Sequence, residues 1–156
     1  NFPTWSPDGN SIAYGDPGSG VRVKAADGGS EAKLILSQKS NIWPLSWSAD
    51  GKRMLLRIQD NEKGGVDLWD LPLEGEAKPR LLFPTDPDEL QNARISPDGK
   101  WLLYVSNETG RREVYVVPYP SLGEKRQVST SGAISSPRSS SPRSVTVPYI
   151  PPAVTM

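Results

Sequence analysis

Apolar residues in this chain come in short runs, with turn-forming residues between them. Ile12-Ala13-Tyr14, Met54-Leu55-Leu56 and Leu102-Leu103-Tyr104 are examples, each preceded by a cluster of Ser, Asp and Gly. Short runs bounded in this way predict strands, and no stretch carries a helical period. Three sets of four strands are expected. The first set covers residues 2–5, 11–15, 21–24 and 33–36. The second covers residues 43–47, 53–58, 66–71 and 80–83. The third covers residues 92–95, 101–105, 113–117 and 126–129.

The turns repeat with the strands. Ser6-Pro7-Asp8-Gly9, Ser48-Ala49-Asp50-Gly51 and Ser96-Pro97-Asp98-Gly99 each precede an apolar triplet that begins four residues after the aspartate. Proline presets φ, aspartate bonds nearby backbone and glycine accepts a positive φ. That chemistry closes a hairpin with a type I turn and a glycine bulge. Asn107-Glu108-Thr109-Gly110, Asp27-Gly28-Gly29 and residues 16–20 supply further turns. The three aspartates lie 42 and 48 residues apart. A period of about 40–50 residues, built of strands and turns, is the signature of propeller blades.

The expected fold is therefore all-β: a partial β-propeller of about three four-stranded antiparallel blades, with a disordered or extended C-terminal tail. Blade 1 takes residues 1–42, blade 2 residues 43–90 and blade 3 residues 91–132. Segment 133–156 is rich in serine and proline and stands where a fourth blade is due, incomplete or lost. The third strands superpose without gaps, Val21 on Leu68 and Val114, and Ala25 on Pro72 and Pro118. Proline late in a strand predicts fraying there.

The repeated apolar positions form the expected blade core: Ile12, Tyr14, Met54, Leu56, Leu102, Tyr104, Val114 and Val116, with Trp5, Trp47 and Trp69. A tryptophan can also serve as a stacking platform, but repetition favours packing between blades. Trp43 and Trp101 do not recur at equivalent positions and are the candidate contact residues. Asp8, Gly9, Asp50, Gly51, Asp98 and Gly99 are read as structural turn residues. Three repeated acids invite a catalytic reading, but the turns explain them and no paired acid or base accompanies them.

Composition narrows the chemistry. The chain has 156 residues, 35% of them hydrophobic, with 16 prolines and 14 glycines, as a turn-rich β domain would have. Lys and Arg balance Asp and Glu at 18 each, interspersed as on a solvated surface. No basic patch argues for a nucleic-acid partner. Histidine and cysteine are absent, which removes His-dependent triads, histidine-ligated zinc, thiolate sites and disulfides. No apolar run approaches the ~18 residues of a membrane span. No cofactor or metal is expected. Asp86, Asp88 and Glu89 offer hard oxygens, but the D-x-D-x-D-G order of a calcium loop is missing. Ser-Pro-Arg occurs at residues 136–138 and 141–143, a conceivable phosphorylation or adaptor site. The sequence begins at Asn1, directly at an expected strand and without an initiator Met, so it reads as a fragment.

Trp5-Ser6-Pro7-Asp8-Gly9, with Ile12-Ala13-Tyr14 behind it, resembles the TolB-type, WD-like β-propeller repeat of bacterial proteins. Residues 66–75 (V-D-L-W-D-L-P-L-E-G) resemble one blade of the propeller that follows the kinase domain in many bacterial serine/threonine protein kinases, notably acidobacterial ones. Residues 95–120, followed by residues 126–130, resemble a later blade of that module. The resemblance covers about residues 1–135. It implies a non-catalytic sensor or protein-interaction module of a bacterial signalling protein. Protein or small-ligand partners and the remaining blades of the parent are then expected, on either face of the cell membrane. The turn motif also occurs in propellers of prolyl-oligopeptidase-type peptidases and in TolB itself. A peptidase's gating propeller and a stand-alone periplasmic scaffold are thus the alternatives. The chain departs from the family after Thr130: Pro137-Arg138 is present, but Ser139 stands where tryptophan is expected and no Asp-Gly follows. Kinase signatures and a G-x-S-x-G nucleophile elbow are both missing from the sequence.

Overall fold

The computed structural model describes residues 3–59, 65–76, 78–83 and 92–132. Among these residues, twelve strands form three four-stranded antiparallel sheets. The first sheet, or blade, holds β1 (Thr4–Trp5), β2 (Ser11–Asp16), β3 (Gly20–Ala25) and β4 (Lys33–Ser37). The second holds β5 (Ile42–Trp47), β6 (Arg53–Gln59), β7 (Val66–Pro72) and β8 (Arg80–Phe83). The third holds β9 (Arg94–Ile95), β10 (Trp101–Ser106), β11 (Glu113–Pro118) and β12 (Arg126–Gln127). Within each blade the strands lie side by side in chain order. β5 begins at Ile42, one residue ahead of the expected blade boundary.

The same turn is built three times. Gly9, Gly51 and Gly99 donate to the carbonyls of Ser6, Ser48 and Ser96, each at 2.9 Å. Their φ angles are +72°, +73° and +71°, the left-handed region that glycine enters without steric cost. In the second copy, Ser48 Oγ donates to Asp50 Oδ1 at 2.6 Å and accepts from the Arg53 N–H at 2.9 Å. Lys52 N–H donates to the same Asp50 oxygen at 3.0 Å. The side chains thus replace backbone partners that a bulged hairpin leaves open.

The blades pack face to face through two clusters. Ala13 and Val21 of the first blade meet Ile42, Met54, Leu56, Ile58 and Leu71 of the second. Leu45, Leu55, Leu68 and Leu82 of the second meet Ile95, Leu102, Tyr104, Tyr115 and Val117 of the third. Successive strand residues point to opposite faces, so β6 serves both clusters. Met54 and Leu56 turn back toward blade 1, and Leu55 turns forward toward blade 3. At Gly15 the backbones of the first two blades nearly touch: a Cβ there would lie 2.0 Å from the Ile42 carbonyl oxygen.

This two-faced rule corrects several core expectations. Met54, Leu56, Leu102 and Tyr104 are buried. Trp47 and Trp69 are half-buried and pack on the first cluster. Trp5, expected in the core, is 60% exposed. It pairs with Ile12 on the backward face of blade 1, which has no neighbour among the described residues. Ile12 and Tyr14 share that face and are half-buried, while Ala13 between them is buried against blade 2. Val114 and Val116 are half-buried too, because they point forward from blade 3. Tyr115 and Val117 are the residues of β11 that enter the core.

The prolines end the strands differently from the expected fraying. Pro72 and Pro118 still pair with Arg53 and Trp101. Leu73 and Tyr119 then donate to the carbonyls of Lys52 and Lys100, each at 2.8 Å. Pairing with the outermost strand stops earlier, at Asp70 and at Val116. A proline without an N–H therefore costs no ladder bond. The loop with Asp86, Asp88 and Glu89, both Ser-Pro-Arg motifs and the tail 133–156 lie outside the described residues.

Candidate functional site

The forward face of blade 3 carries a groove of about 650 Å³. Its floor is Leu103 of β10 and Val116 of β11, which are directly paired across the strands. Trp101 forms one wall, with Arg94 of β9, Pro97 of the turn and Arg126 of β12 around it. Trp101 is 36% exposed and Leu103 39% exposed. The Arg126 guanidinium carbon lies 5.9 Å from the centroid of the Trp101 ring, within cation–π range. An apolar floor with two arginines at its rim suits a ligand that offers an apolar side chain together with acceptor oxygens.

The alternation of β10 creates this groove. Leu102 and Tyr104 are buried against blade 2, so Trp101 and Leu103 must point the other way. Of the two candidate contact residues, the structure places only Trp101 in the groove. Trp43 pairs with Arg57 across β5 and β6, with the guanidinium carbon 5.0 Å from its ring centroid.

The repeated aspartates hold their own turns. Ser6 Oγ donates to Asp8 Oδ1 at 2.5 Å, and Ser96 Oγ donates to Asp98 Oδ1 at 2.5 Å. The serine hydroxyl foremost, then backbone N–H donors, holds the Asp8, Asp50 and Asp98 carboxyls below the usual carboxylate range. Hydrogen bonds to the ionised form have this effect.

A buried charged cluster between blades 2 and 3 went unread in the sequence. Asp70 of β7 is fully buried. Tyr119, just past β11, donates its hydroxyl to Asp70 Oδ1 at 2.6 Å. Arg53 pairs with Asp70 Oδ2, and Arg80 lies 3.6 Å from the same oxygen. Arg80 Nη2 also donates to the Pro120 carbonyl at 3.1 Å. Burial first, then the bond to Asp70, pushes the Tyr119 hydroxyl well above its ordinary value of 10.0. An acid inside an apolar strand (Leu68-Trp69-Asp70-Leu71) was the available signal, since a buried acid needs partners.

Glu113 is a second buried acid. It accepts from the Ser129 hydroxyl and, at 3.0 Å, from the Gly132 N–H, and it pairs with Arg111 at 2.6 Å. These bonds hold the segment after β12 against the start of β11.

No protein-family model matches the sequence, and no curated protein matches it. Solved structures do. TolB from Acinetobacter baumannii is similar at 25% identity and a TM-score of 0.69, over 85% of this chain and 32% of TolB. A prolyl endopeptidase is similar at 18% identity and a TM-score of 0.59, over 85% of this chain and 22% of the enzyme. The β-propeller domain of a trilobed protease from Pyrococcus furiosus is similar at 14% identity and a TM-score of 0.55, over 82% of this chain and 42% of that one. The chain thus spans about a third of the TolB chain's length. The two protease likenesses carry the fold alone. The architecture is a TolB-like partial β-propeller of three blades.

Proposed function

We propose that these blades form a non-catalytic interaction module of a bacterial signalling protein. The observation that carries the binding part is the groove on blade 3, where Leu103 and Val116 form an apolar floor beside Trp101, with Arg94 and Arg126 at the rim. A peptide segment fits this chemistry: an apolar or aromatic side chain covers the floor, and backbone carbonyls accept from the arginines. The repeated acids support a role without catalysis, since each is engaged by a serine hydroxyl and backbone N–H groups of its own turn. The signalling part rests on the resemblance of residues 66–75 and 95–120 to a kinase-associated propeller.

A second reading, the gating propeller of a prolyl-oligopeptidase-type peptidase, is favoured by the likeness to the prolyl endopeptidase. The likeness to TolB similarly favours a stand-alone periplasmic scaffold. Sequencing the coding region on both sides of the chain tests all three. An encoded kinase domain upstream is the expected result. A hydrolase domain downstream would transfer the module to the peptidase reading, and a signal peptide directly upstream to the scaffold.

A further inference from the structure

Blades 2 and 3 carry matching rows of four residues across their sheets. On blade 2 the row is Ser46, Leu55, Asp70 and Arg80, each paired with the next. On blade 3 it is Arg94, Leu103, Val116 and Arg126, paired in the same way. Directly paired residues share a face, so each row lies on the forward face of its blade. The blade 2 row is occupied. Tyr119 donates its hydroxyl to Asp70 Oδ1 at 2.6 Å. Arg80 lies 3.6 Å from Asp70 Oδ2 and donates to the Pro120 carbonyl at 3.1 Å. An aromatic residue, a carboxylate and a backbone carbonyl thus meet at one arginine.

The blade 3 row lacks the carboxylate. Val116 stands where blade 2 has Asp70, and a second arginine, Arg94, stands where blade 2 has Ser46. Both Arg94 and Arg126 are exposed. Among the described residues no carboxylate lies within ion-pair distance of either, whereas Arg22, Arg53, Arg80 and Arg111 each have one. Arg94 donates to the Ala93 carbonyl at 2.9 Å, and Arg126 lies against the Trp101 ring. A guanidinium has five N–H donors, so both forks keep donors for a ligand. Positive charge at each end of an apolar floor is complementary to a ligand with an acid on each side of an apolar group. A second copy of the chain does not supply this. The outward face of blade 1 carries Lys24, paired with Ile12, and the carboxylate there, Asp16, is already bound by Arg22 at 2.6 Å.

Spacing defines the ligand further. Neighbouring strands stand about 4.8 Å apart, which puts the ends of the row about 14 Å apart. In an extended peptide, residues i, i+2 and i+4 point to one side, and i and i+4 are also about 14 Å apart. We propose that the blade 3 groove binds an extended acidic peptide in the order acid-x-aromatic-x-acid. The ring covers Leu103 and Val116 beside Trp101, and the two carboxylates pair with Arg94 and Arg126. With Val116 in place of Asp70, the floor offers a phenolic hydroxyl no acceptor, and the ring alone carries recognition there. The inference rests on the groove reading of the proposed function and not on the signalling role.

The probe is a blocked heptapeptide with glutamate at its second and sixth positions, phenylalanine at its fourth and serine elsewhere. It is titrated into the full chain while indole N–H signals are followed by NMR, assigned through Trp5→Phe and Trp101→Phe. The expected result is a saturable shift of the Trp101 signal with Trp5 unmoved. A peptide with glutamine in place of both glutamates should bind about tenfold more weakly. Arg94→Gln and Arg126→Gln should each weaken the acidic peptide about three- to fivefold, as for exposed ion pairs, and leave the glutamine peptide unchanged. Equal binding of the two peptides overturns the acidic-ligand proposal and leaves the groove reading standing. A Trp101 signal that neither peptide shifts at millimolar concentration overturns both. Trp101 and Trp5 signals that move together with protein concentration, and are not reversed by the acidic peptide, give the groove to a second copy and sink the proposal. The two-peptide comparison uses the unaltered chain, so it stands even where a variant unfolds.

Discussion

Single side chains hold this structure at two kinds of place. In the turns, one serine hydroxyl serves both the aspartate and the backbone. Ser48 is buried, donates to Asp50 and accepts from Arg53 N–H. Ser48→Ala leaves both partners short of a bond and should cost about 1–2 kcal/mol, read as a lower urea midpoint at unchanged slope. The turn carboxyls have depressed values, so their contribution is complete above the ordinary 3.8 and is lost as pH falls below it through the folded values. Replacing Asp8, Asp50 and Asp98 together by Asn should flatten this acid limb of the stability curve. Between blades, Asp70→Ala removes the buried centre of the Arg53–Tyr119 cluster and should cost about 3 kcal/mol. The Tyr119 hydroxyl has a raised value, so its contribution is complete below 10.0 and is lost as pH rises through the higher folded value. Tyr119→Phe should remove that alkaline loss, measurable by denaturant unfolding at increasing pH.

At the scale of the strand, one blade must serve two neighbours. β6 meets this demand with apolar residues in succession, Met54, Leu55 and Leu56, all fully buried. β10 has a similar run but only one neighbouring blade among the described residues, and Leu103 is 39% exposed. Where strands from two blades approach, glycine is required. Gly15→Ala would push a Cβ into the Ile42 carbonyl oxygen at 2.0 Å. We expect a cost of about 1–3 kcal/mol, as for overpacked cores, and a lower Tm by calorimetry. Gly132, held by Glu113, shows how β11 also anchors the segment that follows β12.

Among the described residues, the internal interfaces are apolar and matched, whereas the two outward faces carry apolar residues that no described blade covers. Trp5 is 60% exposed on one, and Trp101 and Leu103 lie on the other. Exposed apolar faces drive association. Trp5→Lys should therefore reduce self-association in sedimentation, with stability changed by no more than about 0.5 kcal/mol, as at other surface positions.

Local chemistry makes much of this legible in the amino-acid order. The Ser-x-Asp-Gly turns act within five residues, and strand runs depend on neighbouring residues, so three blades and most of their strands followed from the amino-acid order alone. The choice of face did not. Val114, Tyr115, Val116 and Val117 are all apolar enough to be core, and only the position of blade 2 beside β10 and β11 selects Tyr115 and Val117. The Asp70–Tyr119 cluster joins residues 49 apart, and the groove joins Arg94, Trp101, Val116 and Arg126 from four strands. Sequence determined the repeat because turns and alternation are local. Tertiary structure decided burial and the site, because each depends on which blade stands opposite.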